Sequence, residues 1–495
     1  MRTCKRQGGE EPALNILAVA RHLAPLTAAV TICAHAANTD AAKSAAHPSP
    51  FSRSEEHGEH GIIDGDAIDQ GHAAAAQPAA SSQQADSRGL IADSHLNWLL
   101  RSYTDHLETQ GANTRNASVL GSQLNFESGF TTGAIGLGAD AGLFSALKLN
   151  GGNGAGNMVH VDPAGGGSNQ RAWTYFGLYD LKARVSNTIV KYGAQIVHNP
   201  FLEPHDNRAL PPTFLGTSLI STEITGLSLA AGSFTKSQPR GQTHLQPLRT
   251  AYGGIQLDRF SYLGSDYTYS PDTKVSLYAS RAENVWDQYY SALSHSIGDA
   301  NTLRWTGQLN YYATRNQGSS RQGSINTNAY SVALSAQHKA HTVLLAYQKV
   351  QGKQFFDYVG EGAGDFLSNS MNVDYNAPGE QSLQLRHTVD LGSYGVPGLK
   401  IMTWGVQGWG ADASASAAAN ADPASSLYGL YWKNGAPVRG KHWEIGMIPT
   451  YVVQAGKLKG SSVNLTLMHH RADAQYSDAG NTIYRLVLNM PMNIF

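Results

Sequence analysis

From about residue 90 onward the chain reads as short runs in which apolar and polar positions alternate, separated by clusters of Gly, Asn, Asp, Ser and Pro. Successive side chains on a strand point to opposite faces, so each run predicts a two-faced β-strand. Leu303, Trp305, Leu309 and Tyr311 fall on one face, against Arg304, Thr306, Gln308 and Asn310. Tyr330, Val332 and Leu334 oppose Ser331, Ala333 and Ser335. Leu383, Leu385, Val389 and Leu391 oppose Gln384, Arg386, Thr388 and Asp390, and Val463, Leu465 and Leu467 oppose Asn464, Thr466 and Met468. Tyr179, Leu181, Ala183 and Val185 oppose Asp180, Lys182 and Arg184. The chain ends on another such run: Tyr484, Leu486, Leu488, Met490, Met492 and Ile494 face one way, and Arg485, Asn489 and Asn493 the other. Phe495 falls out of phase, and Pro491 predicts a bulge or an edge. No 3.6-residue pattern of similar length competes.

Alternation does not say which face is inside. A sandwich buries its apolar face in a dry core, whereas a transmembrane barrel turns it to lipid and lines a wet lumen with polar side chains. The N-terminus bears on the choice. Arg2, Lys5 and Arg6 precede an apolar stretch from Leu14 to Cys33, and Ala34-His35-Ala36 supplies a small-x-small cleavage site, so residues 1–36 are expected to be a signal peptide for Sec-type export. Both cysteines, Cys4 and Cys33, fall in that segment, which leaves the exported chain without disulfides. Residues 37–88, rich in Ala, Ser, Gln and His, bury too little apolar surface to offset ordering entropy and are expected to form a disordered linker. No later segment approaches the ~18 consecutive apolar residues of a spanning helix. An exported chain with an aromatic terminus and no domain boundary across residues 89–495 favours a barrel. At about 10 residues per strand plus loops, that length suits strands in the high teens.

Charge is balanced, with 36 Lys+Arg against 37 Asp+Glu, so bulk electrostatics give no argument for a nucleic-acid partner. The 52 glycines and 23 tyrosines are what many short strands and turns require. No phosphate-cradling glycine loop, paired Cys ligands or His-Glu-x-x-His element is present, so no cofactor or metal is expected.

Several segments, taken in order, resemble the OprD family of substrate-specific outer-membrane porins. They include Asn125-Phe126-Glu127-Ser128-Gly129-Phe130, Asp206-Asn207-Arg208-Ala209-Leu210-Pro211-Pro212-Thr213-Phe214, Gln288-Tyr289-Tyr290, Val396-Pro397-Gly398-Leu399 and Tyr451-Val452-Val453-Gln454. The resemblance covers roughly residues 90–495 and implies an all-β fold: an antiparallel barrel of about 18 strands in the bacterial outer membrane, with its third extracellular loop folded inward as a constriction. It implies no enzyme but a channel for passive diffusion of small anionic or zwitterionic solutes, carboxylate-bearing or amino-acid-like, guided by a row of inward basic side chains. Its partners would be outer-membrane lipid and the solute, with monomer and homo-trimer both open. Arg208 matches the loop arginine, and Arg101, Lys182, Arg184, Lys191 and Arg386 match or adjoin basic strand positions. Arg304 joins them from its polar phase alone, and Asp365 resembles a seventh-loop residue that supplies the acidic side of the eyelet. Trp404, Asn464 and Thr466 stand where basic residues are expected, which thins the row near the C-terminus. Two other readings stay open: an outer-membrane barrel hydrolase using His469, His470 and Asp473 or Ser294 and His295, and a soluble exported β-sandwich.

Overall fold

A computed structural model describes residues 82–112, 114–150, 171–362 and 366–495. The expected signal peptide, the linker up to residue 81 and Asp365 lie outside the described residues. The described chain begins within the stretch read as disordered, because its last residues find partners on the barrel. Gln84 Nε2 donates to the carbonyls of Thr131 (2.8 Å) and Gly133 (3.1 Å), and Ser87 Oγ donates to that of Phe130 (2.6 Å).

The alternating runs form β1 (His95–Thr109), β2 (Arg115–Glu127), β3 (Gly136–Asn150), β4 (Ala172–Val185), β5 (Thr188–Gln195) and β6 (Thr213–Ile224). They continue as β7 (Leu227–Gln238), β8 (Phe260–Ser270), β9 (Thr273–Ala282), β10 (Trp286–Asp299), β11 (Leu303–Asn316) and β12 (Asn326–His338). The last are β13 (His341–Gln351), β14 (Gln381–Asp390), β15 (Leu399–Asp412), β16 (Arg439–Val452), β17 (Ser462–Ala472) and β18 (Asn481–Asn493). Each pairs antiparallel with its chain neighbour, and β18 returns to pair with β1, Met492 opposite Trp98 and Met490 opposite Leu100. The result is a closed 18-stranded antiparallel barrel, which leaves no sheet edge to satisfy in lipid. Pro491 sits in register opposite Leu99 but beyond the last residue of β17 that pairs with β18, so its missing N–H costs no ladder bond.

The apolar face is outside. Leu303, Trp305, Leu309 and Tyr311 are exposed, as are Val332, Leu334, Leu383 and Leu385, while Gln308, Asn310, Ser331, Gln384 and Lys182 are buried toward the interior. This inversion overturns the sandwich, whose leucines would pack against one another.

Two-residue turns at 186–187, 225–226, 271–272 and 339–340 mark one end of the barrel, and Gly226 adopts φ 79° to make one of them. Loops 196–212, 239–259, 352–380 and 413–438 leave from the other end. In barrels of this kind the short turns are periplasmic and the long loops extracellular.

Three of those loops fold inward and interlock. Pro204 bridges Gly362, and Thr250 bridges Val359. His205 N–H donates to Glu361 O at 2.9 Å, and the Glu361 carboxylate accepts from Arg240 N and Nε, both at 2.9 Å. The Asp357 carboxylate accepts from the backbone N–H groups of Tyr252 (2.9 Å), Gly253 (2.9 Å) and Tyr358 (2.8 Å), and from Gln322 Nε2 (2.7 Å). Burial raises its pKa above the usual carboxylate range, against the pull of those donors.

The loops need a dry seat, and one part of the wall supplies it. Phe214, Phe234, Phe260, Tyr278, Trp286, Tyr290 and Tyr312 are buried on inward positions of β6–β11, against Phe201 and Leu202 of loop 196–212 and Phe356 and Phe366 of loop 352–380. Tyr312 Oη donates to Pro200 O (2.9 Å) and accepts from Phe366 N (3.1 Å), joining the two loops. A polar-wall reading of the sequence does not anticipate this aromatic sector.

Candidate functional site

Loop 196–212 crosses the lumen and docks on β1 and β2. Arg101 of β1 holds it from below: Nη1 and Nη2 donate to the two Asp206 carboxylate oxygens at 2.6 and 2.9 Å, and Nη1 also reaches Arg208 O at 2.9 Å. Arg101 Nε donates to Asn489 of β18 at 2.8 Å. Directly opposite Arg101 in the β1–β2 register is Gly121, where an added Cβ would stand 2.3 Å from Ala209 O. Gly121→Ala is therefore expected to push the loop off the wall and raise single-channel conductance in a planar bilayer, while leaving strand pairing and heat-modifiable migration intact. Wild-type conductance in that variant would show that the contact does not set the constriction.

Arg208 projects from the same loop, and its Nη1 donates to Asn207 O at 2.7 Å. Arg240, from loop 239–259, reaches Asn207 Oδ1 and adds a cation that the sequence reading missed, because nothing in Pro239-Arg240-Gly241 marks it as inward.

Lys182 and Lys191 face each other across β4 and β5, and Asp140 and Asp180 across β3 and β4. Asp140 pairs with both lysines, at 2.5 Å to Lys182 and 2.7 Å to Lys191, and Lys191 lies 3.8 Å from Asp180. These four charges form a compact, balanced cluster on the lumen wall. Nearer the periplasmic end, Arg184 donates to Gln84 Oε1 at 3.0 Å and its guanidinium lies 4.2 Å from the centre of the Phe130 ring. The Lys182 ammonium is 4.9 Å from the same ring. The structure thus brings Arg101, Lys182, Arg184, Lys191 and Arg208 to one side of the ring, on β1, β4, β5 and the inward loop.

It does not bring Arg304 there. That residue sits at the start of β11, at the periplasmic rim, half-buried and paired with Asp272 at 2.8 Å. Arg386 is buried on β14, opposite Trp404 of β15. Arg485 of β18 was legible from its polar phase but not assigned a role. It is buried, donates to Asp105 Oδ1 at 2.9 Å, and shares that carboxylate with Arg115.

Of the three replaced basic positions, Trp404 has a structural explanation. Trp404 is buried with Met402, Val406, Ile448, Met468 and Ile483, and Met371 and Tyr375 of loop 352–380 pack onto this patch. Its indole lies over Gly446, where a Cβ would come within 2.1 Å of the ring. Asn464 accepts from Thr450 Oγ1 at 2.6 Å, and Thr466 is buried. At Trp404 the wall seats a loop, while Arg386 lies directly across from it and Arg485 directly across from Thr466.

The hydrolase candidates are dispersed. His469 bonds Thr482 Oγ1 at 2.9 Å, while His470 turns inward to His442 at 3.0 Å, as alternation on a strand requires. Ser294 and His295 lie on β10 near the opposite end of the barrel, and His295 bonds Thr273 Oγ1 at 2.9 Å.

Comparison with known proteins agrees with this geometry. Residues 88–494 match the family described as outer membrane porin, OprD family. Porin D of Pseudomonas aeruginosa is 33% identical over 427 residues, covering 83% of this chain and 94% of that protein. Among solved structures, OccD3 (OpdP) of P. aeruginosa is similar at 34% identity with a TM-score of 0.74, covering 87% of this chain and 98% of that one. OpdK of P. aeruginosa with vanillate gives 27% identity and a TM-score of 0.72, covering 82% and 100%. The chain belongs to the OprD family of outer-membrane porins, a channel-forming barrel of the bacterial outer membrane.

Proposed function

We propose that this porin passes small carboxylate-bearing solutes by passive diffusion, guided by the basic residues that climb one side of its lumen. The observation that carries the reading is the gathering of Arg184, Lys182, Lys191 and Arg101 beneath Arg208 of the inward loop. A cation about 4 Å from a carboxylate contributes ~1 kcal/mol in bulk water and ~4 kcal/mol at an effective dielectric near 20. Low-dielectric walls focus such a field, and sites of this strength in series draw an anion inward without trapping it. Vanillate, named with the related OpdK, is itself a carboxylate. Asp365 remains our candidate for the acidic side of the eyelet, and Arg304 and Arg386 would act at its margins.

One observation extends the reading to zwitterions. Asp140 and Asp180 stand among the lysines, so the wall offers both signs of charge within a few ångströms. An amino-acid-like solute could place its carboxylate and ammonium along such a wall.

Arg208→Ala is expected to lower the anion-to-cation permeability ratio by about two- to fivefold, the effect of roughly 0.4–1 kcal/mol at a partly solvated site. The measurement is the reversal potential in a salt gradient across a planar bilayer. An unchanged reversal potential would remove Arg208 from the pathway.

A further inference from the structure

The outward face of β16 and β17 changes character at the extracellular rim. Ile445 and Met447 are exposed in the apolar band, and above them Trp443 packs on His469 with ring centres 5.6 Å apart. Trp409 of β15, exposed by 37%, also lies on this part of the rim. Tryptophans at this level mark the boundary between hydrocarbon and headgroups. Next along β16 comes Lys441, and Arg471 of β17 stands directly opposite Trp443. Lys441 and Arg471 share the outward face as diagonal cross-strand neighbours, a spacing of about 7–8 Å.

Both side chains are exposed, and among the described residues neither makes a side-chain hydrogen bond or ion pair. The two nearby acids accept from backbone N–H groups, Asp473 from that of Lys441 itself. Asp473 Oδ2 accepts Lys441 N–H at 3.1 Å, and Asp412 Oδ1 accepts Ser414 N–H at 2.9 Å. Arg439, opposite Asp412 in register, brings the rim to three cations against those two carboxylates. An open groove of about 370 Å³, lined by Asp412, Arg439, Asp473 and Gln475 among others, lies beside the patch. Elsewhere on the rim two exposed arginines are already paired: Arg281 with Asp287 at 2.7 Å and Arg321 with Asp258 at 3.0 Å.

We propose that Lys441 and Arg471 hold a phosphate of an outer-leaflet lipid headgroup, with Trp443 and Trp409 against the head of its acyl chains. Guanidinium and ammonium groups are the natural phosphate ligands, and a pair of them at headgroup level beside indoles fits a phosphorylated lipid. The occupant is the lipid because the apolar band continues directly below the cations.

The test uses the full-length folded porin in detergent, titrated with a diphosphorylated glycolipid, the same glycolipid without phosphate, and inorganic phosphate, with retention read by native mass spectrometry. Wild type is expected to retain the phosphorylated lipid and neither of the other two. Lys441→Gln with Arg471→Gln should weaken retention about tenfold or more, whereas the charge-matched pair Arg281→Gln with Arg321→Gln should stay within about twofold of wild type. Should the double variant lose heat-modifiable migration, Lys441→Gln alone is read instead, with an expected loss of about threefold. Equal retention by the variant, or equal retention of the phosphate-free lipid, overturns the proposal. Saturation by inorganic phosphate alone would make this an anion site and also overturn it.

Discussion

Arg101→Ala is expected to produce a wider, noisier channel in a less stable barrel. The guanidinium makes two bonds to Asp206, one to the Arg208 carbonyl and one to Asn489, at 2.6–2.9 Å. Its removal leaves the Asp206 carboxylate, largely shielded from solvent, without its countercharge, and removing one partner of such a pair typically costs about 3–5 kcal/mol. Loop 196–212 then loses its anchor on β1, so single-channel conductance should rise and current fluctuations increase. Arg101→Lys should fall between the two, because one ammonium cannot reproduce the planar fork that reaches Asp206, Arg208 O and Asn489 together. A conductance and noise spectrum matching wild type in the alanine variant would mean that the aromatic seat around Tyr312 suffices to hold the loop.

The second large effect is expected at Glu380, which ends the seventh extracellular loop. Its carboxylate binds His442 Nε2 at 2.8 Å and accepts from Tyr476 Oη (3.0 Å) and Ala377 N (2.9 Å). His442 is stacked between Tyr375 and Tyr476, at 4.2 and 4.0 Å between ring centres, and its other nitrogen meets His470 at 3.0 Å. Glu380, His442 and His470 are fully buried, so Glu380→Ala strands several donors at once. A loss of about 3 kcal/mol or more is expected. It should appear as a drop of several degrees in the temperature at which the folded band disappears on a gel. Glu380→Gln, which keeps an acceptor, should lose less. Unchanged thermal behaviour of the alanine variant would show that the loops are fastened elsewhere.

Much of the candidate site was legible because its residues sit on strands. The phase of Lys182 and Arg184 against Leu181 and Val185 put them on the polar wall, and that phase does not depend on the rest of the fold. Arg304 obeys the same rule yet lies at the periplasmic rim, because phase gives the face of a strand and not its depth. Arg485 had the right phase too, but its partner Asp105 is 380 residues away, beyond the reach of any local pattern. Trp404 looked like a missing cation and is in fact the seat of loop 352–380. Polar phase could not reveal that, because an inward side chain meets water in one sector and a folded-in loop in another.

The chain's own alternation determined that it would form strands, which residues share a face, and where the turns fall, because a strand's side-chain period is a property of the local backbone. Closure of β18 on β1, the pairing of Arg101 with Asp206 and the division of the lumen into a charged side and an aromatic side were decided only in three dimensions. Each joins segments from different strands and loops, up to nearly 400 residues apart in the closure of β18 on β1, where the reward comes from burying a loop or matching a charge across the barrel rather than from any repeat along the chain.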